Sequence, residues 1–152
     1  MRRLLGLFGL LTVAALIGGV TSAAPAAAST TVSVQATFAE PAVNPDCTVT
    51  NGFCGNGVLL PFGSATETIQ FNAGCGGSCD LRTINLAGGS IVSDEFEGTF
   101  GPCPSGIPGV TGVFISGTGE FAGATGTYAG CVRIGHDAVS QVKATGTLTF
   151  GS

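Results

Sequence analysis

Between residues 32 and 38 the chain alternates: Val32, Val34, Ala36 and Phe38 take one face of an extended segment, and Ser33, Gln35 and Thr37 take the other. The same period of two recurs along the chain. Ala65, Ile69 and Phe71 oppose Thr66, Thr68 and Gln70, and Val142, Ala144, Leu148 and Phe150 oppose Gln141, Lys143, Thr145, Thr147 and Thr149. Ile84 with Leu86, Val92 with Phe96 and Phe100, Val113 with Ile115 and Phe121, and Tyr128 with Val132 and Ile134 extend the set. No window combines a 3.6-residue apolar period with helix caps, so strands are expected throughout, about seven or eight of them, separated by Gly, Pro and Asn.

A strand with one apolar and one polar face belongs to an antiparallel sheet that buries one side. With no helix to cover that side, the sheet must close on itself or stack on another. The expected fold is therefore all-β and antiparallel, with about seven or eight strands forming either a single β-barrel or a β-sandwich. The stretches Glu40–Gly57 and Gly101–Gly109 carry five prolines and three cysteines between them and read as surface loops.

The first residues have a different character. Met1-Arg2-Arg3 is a short positive segment, Leu4–Val20 is an apolar run, and small residues follow as far as Ala28. That order matches a secretory signal peptide over 1–28, with cleavage sites ending at Ala23, Ala26 or Ala28. It implies a secreted, extracellular protein whose single domain spans 29–152, with no membrane span in the mature chain. Of the 26 glycines, 22 lie after Ala28, and Arg82, Arg133 and Lys143 face nine acidic residues, a net charge of −6. Three basic residues cannot make a phosphate-tracking stripe, so nucleic acid is not an expected partner.

All six cysteines, Cys47, Cys54, Cys75, Cys79, Cys103 and Cys131, lie in the mature part. An even count in a small exported domain reads as disulfides. Sequence leaves the pairing open; chain economy favours Cys47–Cys54, Cys75–Cys79 and Cys103–Cys131. Zinc would need C-x-x-C or Cys/His spacing, and the chain offers C-x3-C with a distant His136, so neither a metal nor another cofactor is expected. His136 itself sits in a turn-like Gly-His-Asp context and reads as a surface residue.

The most distinctive stretch is Gly117-Thr-Gly119-Glu-Phe121-Ala-Gly123-Ala-Thr-Gly126-Thr-Tyr128-Ala-Gly130. Its glycines permit positive φ and tight coiling at a barrel rim, while Phe121 and Tyr128 can fill apolar space on either side of the connection. The segment resembles the G-x-G-x-F-x-G-A-x-G hairpin of the allene oxide cyclase barrel-like proteins and the related dirigent proteins, and is similar to small secreted actinobacterial members of that grouping. The resemblance covers residues 117–130 and extends loosely through the C-terminal half to Lys143–Phe150. It implies an eight-stranded antiparallel barrel with an apolar interior that relatives use to hold or cyclise a hydrophobic small molecule, often as dimers or trimers. The hairpin supplies no catalytic side chain, so none is carried over. Its Glu120-Phe121 repeats the E-F-x-G-x-x-G pattern of Glu95–Gly101.

Alternation also selects polar residues on apolar faces. Glu67 lies between Ala65 and Ile69, Arg82 shares parity with Ile84 and Leu86, and Asp94 shares it with Val92 and Phe96. A desolvated Glu67 would have a raised pKa suited to acid–base work, and Arg82 could polarise a carbonyl or pair with it. A structural Glu67–Arg82 pair at the barrel mouth is the plainer expectation, since a one-residue slip inverts every facing assignment. Glu95, Glu97 and Glu120 read as a solvated acidic face. Glu67 and Arg82 are thus the catalytic candidates, and Phe96, Phe121 and Tyr128 join them as ligand-contact candidates. Three functions follow as expectations: a barrel binding a small hydrophobic molecule in its lumen, a dirigent- or cyclase-like enzyme, or an extracellular structural or surface-interaction protein. The first predicts an apolar lumen with few charges. The second predicts Glu67 and Arg82 converging in an open pocket, and the third a lumen filled by Phe.

Overall fold

The structure, a computed structural model, describes residues 28–99, 103–135 and 137–151. All of the expected leader 1–28 except Ala28, together with Phe100 and His136, lies outside the described residues. Eight strands follow in order: β1 (Ser29–Pro41), β2 (Gly52–Leu60), β3 (Gly63–Gly74), β4 (Cys79–Leu86), β5 (Gly89–Gly98), β6 (Gly109–Gly117), β7 (Thr125–Ile134) and β8 (Val139–Gly151). A single 3-10 turn, Gly119–Phe121, interrupts the β6–β7 connection. Each strand pairs antiparallel with the next, and β1 pairs with β8 from Ser29↔Gly151 to Pro41↔Val139, so the sheet is a closed barrel. Closure satisfies the hydrogen bonds that an open sheet would leave on its two edges. The barrel, rather than the sandwich, is the outcome.

Inward parity on β1 is the one the alternation predicts. Val34 and Phe38 are buried, with Val32 and Ala36 partly so, and on β8 Val142, Ala144 and Leu148 join them. The two ends of the barrel differ. One end, where the β2–β3 and β6–β7 connections lie, is stoppered by edge-on contacts among Phe62, Phe121 and Phe150, with ring centroids 5.0 to 5.8 Å apart. This geometry suits the aromatic quadrupole and removes the largest apolar surfaces from water. The other end carries all three disulfides: Cys47–Cys54 tying the β1–β2 loop to the start of β2, Cys75–Cys79 across the β3–β4 turn, and Cys103–Cys131 tying the β5–β6 loop to β7. These are the pairings that chain economy favoured.

Two strands have the opposite phase from the expected one. On β5 the inward residues are Ile91, Ser93 and Glu95, so Val92, Asp94 and Phe96 face out. On β6 the inward residues are Val110, Gly112 and Phe114, leaving Val113 and Ile115 46% and 47% exposed. The pairing shifts register between Val92 and Ser93. Apolarity misleads on β5 because the buried Ser93 and Glu95 have polar partners inside, and on β6 because both faces carry apolar residues. Ile134, at the end of β7, is also exposed.

The Glu40–Gly57 loop is shorter than expected, since Glu40 is the second-last residue of β1 and β2 begins at Gly52. The sequence repeat has no structural counterpart. Glu95 is buried on a strand with Phe96 outside, whereas Glu120 is exposed and Phe121 buried in the 3-10 turn.

Candidate functional site

Barrel register places four chemically active side chains together, and Glu40 of β1 joins them through Arg82. Glu67 on β3 stands opposite Gly55 of β2, Arg82 on β4 opposite Ser93 of β5, Glu95 on β5 opposite Gly112 of β6, and Gly112 in turn opposite Tyr128 of β7. Glycine therefore occupies the rungs that the large polar side chains lie across. A Cβ at Gly55 would come within 2.6 Å of Glu67 Oε1, and one at Gly112 would overlap the Tyr128 phenol. These two missing side chains leave the room in which the cluster sits.

Arg82 is its hub. Its Nε donates to Glu95 Oε2 at 2.6 Å and its Nη2 to Glu95 Oε1 at 2.7 Å, a bidentate pair, while Nη1 donates to Glu40 Oε1 at 3.2 Å and to Glu67 Oε2. The Tyr128 hydroxyl donates to Glu95 Oε2 at 2.5 Å and lies 3.0 Å from Ser93 Oγ. All of these residues are buried, with Glu67 1% and Arg82 2% exposed. Glu67 Oε1 alone, among buried side-chain oxygens and nitrogens of the described residues, meets no hydrogen-bond partner.

Three carboxyls surround one guanidinium, so full ionisation would leave an excess of two negative charges in a desolvated space. The protonation states respond. Burial pushes Glu67 up to about 8, against the attraction of Arg82 and with a further push from Glu40. Burial raises Glu40 as well, again opposed by Arg82. Glu40 and Glu67 both face Arg82 Nη1, so each carboxylate disfavours ionisation of the other. Arg82 loses stabilisation to burial, yet Glu95 and Glu67 hold its guanidinium well above the ordinary value. Burial, then the Glu95 charge, keeps the Tyr128 phenol protonated well beyond its usual range.

Glu67 and Arg82 do converge, inside the barrel rather than at an exposed mouth. Tyr128 belongs to the same cluster. Phe121 is buried but part of the aromatic stopper, and Phe96, 43% exposed on the outer surface, does not line the lumen because Glu95 takes the inward position beside it. Glu95, Glu40 and Ser93 belong to the site, although the first reads from sequence as solvated and the second as part of a loop. Inward glycines at 55 and 112 are the signal that could have located them.

Beside the cluster the apolar lumen is almost full. Val34, Phe38, Leu59, Ile84, Phe114 and Val142, with Arg82 and Tyr128 on the polar side, bound a cavity of about 20 Å3. That is room for one water molecule.

Fold and site together define a closed, disulfide-stapled eight-stranded barrel with an ionic cluster in its lumen. No family model, curated protein or solved structure matches the chain. Among the described residues no helix is long and apolar enough to cross a membrane.

Proposed function

We propose that this chain is a secreted, non-catalytic barrel of the allene oxide cyclase-like type that acts through its outer surface as an extracellular structural or interaction module. One observation carries the reading: a lumen with about 20 Å3 of free space cannot hold a small-molecule ligand, whose sites run from roughly 300 Å3 upward. Three disulfides fit an oxidising compartment, and the n-region, apolar run and small residues of the leader support export. The Gly117–Gly130 hairpin and the closed eight-stranded architecture support the family resemblance, which remains one of fold. Outside, Phe96, Val113 and Ile115 on β5 and β6 supply exposed apolar side chains on adjoining strands.

A second reading rests on the convergence of Glu67, Arg82 and Tyr128. If the lumen opens, a protonated carboxyl and a guanidinium would meet an apolar molecule, as a binding or cyclising barrel requires. Titrating the folded protein with apolar probes of increasing size, followed by methyl NMR of Val34, Leu59 and Val142, tests the choice. The outer-surface reading predicts no saturable shifts with a naphthalene-sized probe. Saturable shifts would overturn it in favour of the lumen reading.

A further inference from the structure

The lumen cluster joins five strands that are not all neighbours: Glu40 on β1, Glu67 on β3, Arg82 on β4, Glu95 on β5 and Tyr128 on β7. β2, β6 and β8 place no titratable side chain inward among the described residues; their inward positions nearby are Gly55, Gly112 and Val142. No second cation therefore balances the carboxyls if the last of them ionises. Glu67 Oε1, buried against Gly55 with no hydrogen-bond partner, is the oxygen on which a negative charge would go unanswered.

We propose that this cluster is a proton-operated latch: holding its proton it ties the five strands together across the lumen, and releasing it leaves uncompensated negative charge that draws water into the disulfide-stapled half of the barrel. The aromatic stopper at the far end contains no titratable group and stays shut, while the disulfides keep the stapled loops connected as the interior hydrates. The transition is a local loosening, distinct from global unfolding. It concerns the interior and holds whether or not the outer surface has a partner.

The chain carries its own reporter. It has one Tyr and no Trp, so intrinsic tyrosine emission comes from Tyr128 inside the cluster. Phenol ionisation does not interfere, because Tyr128 is held well above its ordinary value. The experiment follows tyrosine emission of the oxidised protein from pH 6 to 9 while far-UV circular dichroism monitors the fold. The expected result is a single emission transition centred near 8 with the fold unchanged, lost in Glu67→Gln. In Glu40→Gln the transition moves to lower pH, because the like charge that lifts Glu67 is gone. A flat wild-type profile, a transition retained in Glu67→Gln, or one unmoved in Glu40→Gln overturns the latch. Should Glu67→Gln fail to fold, the Glu40→Gln shift decides alone.

Discussion

Arg82 and Glu95 meet diagonally across β4 and β5 in a bidentate pair, with N–O distances of 2.6 and 2.7 Å, and both side chains are buried. Such a pair loses little relative to a well-packed apolar substitute but a great deal when only one partner is removed. Arg82 also answers Glu40 and Glu67, so its removal strands three carboxyls at once.

Arg82→Met should therefore destabilise the oxidised protein by about 3–5 kcal/mol at neutral pH. The loss should be smaller at pH 5 than at neutral pH, because acid favours the protonated form of Glu40, which burial already favours, and so relieves part of the stranded charge. Urea unfolding at the two pH values measures both quantities, and an equal loss at each would show that the carboxyls do not feel Arg82.

Stability should also depend on pH in a direction unusual for a carboxylate. Glu67 is raised from 4.5 to about 8 on folding, so between those values the folded state keeps a proton that the unfolded state has lost. Its contribution is complete below about 4.5, declines as pH rises, and is gone above about 8, with a slope of at most about 1.4 kcal/mol per pH unit for one proton. Glu40 acts in the same direction. Urea midpoints of the wild type should fall between pH 5 and 8, and Glu67→Gln should flatten the fall.

Gly112→Ala places a methyl where the Tyr128 ring lies. Overpacking of this kind costs about 1–3 kcal/mol, and here it should also displace the phenol from Glu95. Reduced stability with altered tyrosine emission is expected. Unchanged emission would mean that Tyr128 does not lie over the glycine.

The three disulfides should contribute unequally. Cys103–Cys131 spans 28 residues and Cys75–Cys79 only 4, which in the chain-entropy model corresponds to about 3.5 against about 2 kcal/mol. Pairwise replacement by Ala, compared by urea unfolding, should rank them in that order.

All-β architecture was legible because β1 and β8 alternate cleanly, with apolar residues inside and polar ones outside; alternation left barrel and sandwich open, and only the Gly117–Gly130 resemblance pointed to the barrel. Glu67 and Arg82 were legible for the same reason, as polar exceptions on apolar faces. The rest of the cluster was hidden by that logic. On β5 the buried face is Ser93 and Glu95 while Val92 and Phe96 face water, so a rule that sends apolar residues inward selects the wrong parity. Burial of Glu95 follows from Arg82 and Tyr128, partners 13 and 33 residues away, and no local pattern encodes them. Glu40 looked like loop because Pro41 follows it, although β1 runs on to that proline.

A full barrel interior requires its polar half to hold a proton at neutral pH. Carbon-13 NMR titration of the glutamate side-chain carboxyls in the oxidised protein, with Glu67 assigned through Glu67→Gln, tests it most directly. The Glu67 carboxyl is expected to be still protonated at pH 7 and to titrate near 8. A Glu67 signal that titrates near 4.5, the ordinary glutamate range, would show a hydrated carboxylate in an open lumen and contradict it.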